Sequence, residues 1–256
     1  MAYQGYNFIY DGIPSQAYGL RIVSFESSSY RYAGGSSMEL ITDRAARSLR
    51  TKILQSVPSE PLKFDMEIAC ENNLSMAQSL YVKNWLFGHL GYKKLQILRE
   101  DMMDYYFNCI FNDPEDIQIN GNNGWKFTVI CDAGGAWENP RAFHYEDNPA
   151  TVIINNRSNN HDYTYPDVSF VVSADGADVS IINKDDNGRE FKFTGLNPNE
   201  KITIDGETKI IKSDNANRLS NFNKNFLRLV QGTNNLKISG ISSLDITIHN
   251  FRRLGG

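Results

Sequence analysis

A chain of 256 residues with 41% hydrophobic and 12% aromatic side chains can bury one large β core or two of ordinary size, and 22% charged residues is too few for a disordered chain. Twenty-six basic residues against thirty acidic ones leave a net charge of -4. That balance speaks against DNA or RNA as a direct ligand, because binding a phosphate backbone needs a basic stripe.

The start, Met1-Ala2-Tyr3-Gln4-Gly5, has neither a basic n-region nor an apolar h-region. No apolar run reaches the roughly eighteen residues of a membrane span, so folding in the cytoplasm and no membrane partner are expected. Tyr6, Phe8 and Tyr10 alternate as on a half-buried strand. Asp11-Gly12 then supplies a tight turn, since both residues tolerate positive φ. Ser15 and the triplet Tyr18-Gly19-Leu20 follow.

Residues 33–60 differ from their surroundings. Gly34-Gly35-Ser36-Ser37 opens the stretch and Pro58 and Pro61 close it, while Arg44, Arg47, Arg50 and Lys52 cluster between them. This pattern predicts a protruding arm, either a solvated basic loop or an element that docks on a neighbouring subunit. A complementary surface is the acidic series Glu100, Asp101, Asp104, Asp113, Glu115 and Asp116, because opposite charges on two patches of one chain can pair between identical copies in a closed ring.

One helix is predicted over 75–88. Ser75-Met76-Ala77-Gln78 has the form of a capping box, Ala77, Tyr81 and Trp85 recur every four residues beside Val82 and Leu86, and Gly88 or Gly91 ends it. Strands are expected at Leu62–Cys70, Lys94–Leu98, Asp104–Asn112 and Trp125–Cys131. The first domain therefore reads as a β-sandwich or sheet with one covering helix.

Turn formers crowd between Trp137 and Thr151, including Asn139-Pro140 and Asn148-Pro149, which predicts a linker and a domain boundary near 138. The two domains span 1–138 and 139–256. Residues 1–138 carry 12 basic and 16 acidic side chains, and 139–256 carry 14 of each, so the negative excess belongs to the first. Beyond the boundary, strands are expected at Thr151–Asn155, Val168–Ser173, Val179–Asn183, Glu190–Phe193, Lys201–Asp205, Lys209–Ser213, Asn235–Ile238 and Leu244–Ile248. Asn187-Gly188, Gly195 with Asn197-Pro198, and Asp205-Gly206 punctuate them, a spacing that predicts a galectin-like or jelly-roll β-sandwich.

No constellation for catalysis emerges. There is no Gly-x-Ser-x-Gly elbow, Walker loop or Gly-x-Gly-x-x-Gly fingerprint, and Asp185-Asp186 sits on a hairpin tip. The run Asn183–Gly188 resembles half a calcium loop, but its twelfth position is Thr194 where a bidentate Glu is needed. His89, His144, His161 and His249 are scattered, and Cys70, Cys109 and Cys131 read as buried thiols, so neither a metal nor another cofactor is expected. Sugar binding is the rival function, with Tyr163 and Tyr165 as stacking candidates besides Tyr145; all three tryptophans precede the second domain, and Asn139-Pro140-Arg141 only echoes a galectin motif.

The opening strand, Gly turn, Ser15 and Tyr18-Gly19-Leu20 resemble the start of the distal tail proteins of long-tailed (siphovirus-type) bacteriophages. The second half is similar to the same family: Tyr165-Pro166, Gly195-Leu196, Asp205-Gly206, Arg218-Leu219, Phe222 with Phe226, Gly232 with Asn234 and Leu236, and a final strand from Ile246 to Arg252. The resemblance implies a non-enzymatic structural hub of the virion, in the short form without an inserted carbohydrate-binding module. It implies a homo-hexameric ring, single or paired back to back, whose first domains line a DNA-wide channel. The implied partners are the tail tube protein, the tail-associated protein and receptor-binding or baseplate proteins, assembled in the host cytoplasm.

Overall fold

The computed structural model describes residues 5–25, 38–43, 51–58, 61–119, 121–159 and 162–253. The chain is mainly β and divides into two compact units, one up to Glu138 together with Arg253 and one from Asn139 to Arg252.

The first unit holds β1 (Asn7–Tyr10), β2 (Ile13–Pro14), β3 (Leu20–Phe25), β4 (Met38–Asp43), β5 (Lys52–Pro58), β6 (Lys63–Cys70), α1 (Met76–Phe87), β7 (Lys93–Leu98), β8 (Tyr105–Ile119), β9 (Asn122–Cys131) and β10 (Gly135–Glu138). Its main sheet is antiparallel with the order β2-β1-β7-β8-β9-β6-β3, and β10 lies along the start of β8. The ladder also returns on itself. Tyr6 and Ile22 exchange both backbone hydrogen bonds, at 3.1 and 2.9 Å, which joins the start of β1 to β3 and closes six strands around the core.

Asp11 and Gly12, at φ 50° and 78°, form the two-residue turn between β1 and β2, with Tyr10 opposite Ile13. Alternation along β1 sends Phe8 and Tyr10 inward and leaves Tyr6 exposed. Ser15 is buried, and its Oγ accepts the Phe8 backbone N–H at 3.1 Å, which ties the turn to the strand. Burial pushes the Tyr10 phenol well above its ordinary pKa.

Helix α1 begins on the expected capping box. Ser75 Oγ accepts from the Gln78 backbone N–H at 3.3 Å while Gln78 Oε1 accepts from the Ser75 N–H at 3.0 Å. The inward face differs from the predicted stripe: Val82, Trp85 and Leu86 are buried, whereas Ala77 and Tyr81 are exposed. The helix is buried through its second half, where Trp85 lies against Phe8 and Tyr10 and donates its Nε1–H to the Tyr10 carbonyl at 3.2 Å, while the exposed Tyr81 ring rests on Tyr18 with centroids 5.8 Å apart. Tyr10 in turn stacks on Phe111 with ring centroids 4.0 Å apart.

Strand β8 runs on to Ile119, past the predicted end at Asn112. Asp113-Pro114 reads as a breaker, but Asp113 adopts φ 51° and the register shifts between Asn112 and Glu115, so the pair is accommodated as a bulge.

The second unit is a sandwich of β11 (Arg141–Tyr145), β12 (Thr151–Asn156), β13 (Asp167–Val172), β14 (Ala177–Asn183), β15 (Arg189–Leu196), β16 (Lys201–Ile204), β17 (Ile211–Ser213), β18 (Gly232–Ser239) and β19 (Ile241–Ile248). One sheet has the order β11-β19-β13-β16-β17 and the other β12-β18-β14-β15. Their inner faces meet in a core of Val, Ile, Leu and Phe, with Phe191 and Phe193 each in contact with both Phe170 and Phe222. Strand β11 occupies part of the stretch expected as a linker and pairs with β19 from Arg141↔Ile248 to Tyr145↔Leu244. The β16–β17 hairpin forms as predicted, though not through Gly206 adopting positive φ. Gly206 is required because a Cβ there would lie 2.3 Å from the Tyr165 carbonyl oxygen, and Lys209 takes the left-handed position at φ 61°.

Two buried carboxylates hold the loops of this sandwich. Glu200 accepts a fork from Arg218 Nε and Nη2 at 2.7 and 2.6 Å, together with Ser213 Oγ–H and the Asn197 N–H. Asp186 is paired the same way with Arg228, at 2.7 and 3.0 Å. The Arg218 guanidinium holds the Glu200 carboxyl down at about 2, against an ordinary value of 4.5.

Replacing Trp85 with Ala should destabilise the first unit by about 3–5 kcal/mol, while Leu80→Ala, at an exposed position, should change it by about 0.5 kcal/mol or less, as read by urea unfolding. Because the Glu200 pKa is depressed by folding, its contribution is present above about 4.5 and is lost as pH falls towards 2. Wild-type protein should therefore lose up to about 3 kcal/mol of second-unit stability over that window. Glu200→Gln should be weaker at neutral pH and should lose much of this acid dependence in a pH series of thermal melts.

Candidate interaction surfaces

The predicted arm contains a two-stranded ribbon. β4 and β5 pair from Met38↔Pro58 to Asp43↔Lys52, and among the described residues they hydrogen-bond to no other strand. Such a ribbon is marginal in water by itself. Ile41, Thr42, Asp43 and Lys52 are exposed on it. Arg44, Arg47 and Arg50 fall in sequence between the two strands and lie outside the described residues.

The acidic series separates into two groups. Glu100, Asp101 and Asp104 belong to the turn between β7 and β8, whereas Asp113, Glu115 and Asp116 occupy the bulge of β8. Eight residues of strand divide Asp104 from Asp113, about 30 Å at the usual rise. Asp101 already takes a fork from Arg99, at 2.5 and 2.8 Å, and Asp116 pairs with Lys83 of α1 at 2.8 Å; both carboxyls are held below their ordinary pKa chiefly by those partners. Among the described residues Glu100, Asp104 and Glu115 make no ion pair.

The Lys83–Asp116 pair sets the β8 bulge beside α1, whose first half displays Met76 and Leu80 at 82% and 59% exposure. Sequence reasoning missed this face because the helix carries apolar residues all round, so its periodicity cannot tell the buried side from the displayed one.

In the second unit Tyr163 and Tyr165 are 45% and 37% exposed, but a cation covers one face of each ring. Arg228 lies 3.5 Å from the Tyr163 centroid and Lys209 Nζ 3.3 Å from that of Tyr165. A sugar stacking on those faces would have to displace a guanidinium already anchored by Asp186 and an ammonium whose pKa burial has lowered to about 8. The Asn183–Gly188 turn is likewise engaged within the protein: Asp185 Oδ2 accepts from Asn235, Asp186 from Arg228, and Asn183 bridges to Asn234. Among the described residues no group of three or more His, Cys, Asp or Glu is arranged to hold a metal, and no helix is long and apolar enough to cross a membrane.

Residues 3–133 match the family model of the phage tail protein N-terminal domain, and residues 136–248 match that of the phage tail C-terminal domain. The chain belongs to this phage tail protein family. It is a structural protein of the phage tail and hence a component of the virion. Its fold is similar to the crystal structure of Dit from phage SPP1, described as a paradigm of the hub adsorption apparatus in phages infecting Gram-positive bacteria. The two superpose with a TM-score of 0.69 over 96% of this chain and 98% of that one, at 10% identity, so the agreement is one of fold. No curated protein matches the sequence.

Asp113 and Glu115 of the β8 bulge are exposed and are expected to contribute little to folding. Asp113→Asn with Glu115→Gln should shift the urea midpoint by no more than about 0.5 kcal/mol of stability. A larger loss would make the bulge charges part of the fold instead of a surface available to partners.

Proposed function

We propose that this tail protein is a distal tail hub: a ring that joins the tail tube to the tail tip and anchors tail-associated and receptor-binding or baseplate proteins. The observation that carries the reading is the end-to-end correspondence of fold with SPP1 Dit, over 96% and 98% of the two chains, in a protein with both phage tail family domains in order. The role is architectural and non-enzymatic. Six copies form the ring, with the first units around a channel for DNA. The acidic balance of residues 1–138 favours that arrangement, since a like-charged protein does not retain passing DNA. The arm crosses to the next protomer, its basic cluster Arg44, Arg47, Arg50 and Lys52 facing carboxylates from the set Glu100, Asp104, Asp113 and Glu115.

Native mass spectrometry of purified protein, with negative-stain images of the same sample, should give six or twelve subunits with a central opening. A monomer at every concentration that also forms no ring when mixed with tail tubes overturns the hub reading. Reversing the charge of Arg44, Arg47 and Arg50 together should lower the mass towards monomer while circular dichroism stays unchanged; a ring of unaltered mass removes the arm from the interface.

A further inference from the structure

We infer that Cys109 and Cys131 form a site for an intramolecular disulfide, closed by oxidation after the protein leaves a reducing compartment. The two residues are opposite each other in the β8–β9 register. The hydrogen-bonding phase of the ladder decides their geometry. Asp132 N–H donates to the Asn108 carbonyl at 2.9 Å, which makes Asn108 and Asp132 a hydrogen-bonded pair and the adjacent Cys109 and Cys131 a non-hydrogen-bonded one. The Cys131 N–H confirms the phase independently, since it turns away from β8 and donates to the Leu62 carbonyl at 2.9 Å. Across such a pair the Cα atoms stand about 4.5 Å apart with both side chains on the same face, inside the window a disulfide spans. Both side chains are fully buried in the core of the first unit, and both are free thiols in this structure.

Cys70 is excluded from the pairing by the same ladder. Lys63 faces Ile130 in the β6–β9 register, so Leu62 is level with Cys131 and Cys70 lies eight residues further along β6, about 25 Å away. Loss of all solvent contact raises both paired thiols, Cys131 to about 12, so few thiolates exist in the closed protein and oxidation waits on local opening of the hairpin. Slow closure suits a component of a virion, which assembles once and persists outside the cell, where disulfides are stable.

The oxidant is a small-molecule disulfide. One cysteine thiolate attacks it, releasing one small thiol and leaving a mixed disulfide; the second thiolate attacks the protein sulfur of that intermediate and releases the other. Two protein thiols become one disulfide, two protons leave, and the oxidant gains the two electrons as two thiols.

The test uses the full chain incubated with oxidised glutathione at mildly alkaline pH, with and without urea below the unfolding midpoint. After acid quench the protein is unfolded, alkylated and weighed. Alkylatable thiols should fall from three to one, peptide mapping should join Cys109 to Cys131, and Cys70→Ser should fall from two to none. The oxidised form should melt roughly 5–10 °C higher in its first-unit transition. Three alkylatable thiols after the urea incubation, stable glutathione adducts in place of the link, or a link to Cys70 would each overturn the inference. Cys131→Ser distinguishes these outcomes, since it should form no internal link and should show no rise in melting temperature on the same treatment.

Discussion

The reciprocal hydrogen bonds between Tyr6 and Ile22 are the constraint on which the first unit depends. Without them the order from β1 through β7, β8, β9 and β6 to β3 would be an open sheet with two free edges, one at each end of the sequence of pairings. Closure satisfies those edges and wraps one continuous core. It also fixes where α1 can dock. Phe8 and Tyr10 alternate inward from the strand that makes the closure, and Trp85 lies against both, so the helix is pinned through its second half. A closed ladder leaves little backbone for partner strands. The ribbon β4–β5 is the part of the unit that, among the described residues, pairs with no strand of that closure.

Much of this was legible in local chemistry. The capping box at Ser75 and Gln78, the turn at Asp11-Gly12 and the two-residue alternation of the second unit are effects of neighbouring residues on one another, and each forms where the sequence places it. What was not legible depends on distant partners. Strand β11 has little reason to exist except the outer edge of β19, and the prolines and asparagines around it look like a linker until that edge is present. Asp113-Pro114 stops a strand by propensity, yet β9 carries β8 across it as a bulge. Cys109 and Cys131 share no diagnostic spacing, and only the register makes them opposite. The candidate surfaces were legible as composition but not as geometry: the acidic series looked like one patch and is two, and the tyrosines that looked available already face cations.

The two units are held by different physics. The first relies on stacked aromatic rings around Trp85, and the phenol and thiols in its core stay neutral at ordinary pH. In the second, loops without regular structure are fastened by charged forks, Glu200 with Arg218 and Asp186 with Arg228, and by the asparagines Asn156, Asn183 and Asn234, whose amides take the place of absent ladder bonds. Burying a charge is favourable only when its partner is fixed in good geometry. That requirement explains why Arg228 serves the fold before it can serve a ligand. It neutralises Asp186, which is almost completely buried, and covers Tyr163 with the same planar group, so moving the arginine towards an incoming molecule would leave a carboxylate unpaired in the sandwich. The exposed tyrosine is thereby coupled to the stability of the core, and its exposure alone does not make it a binding residue.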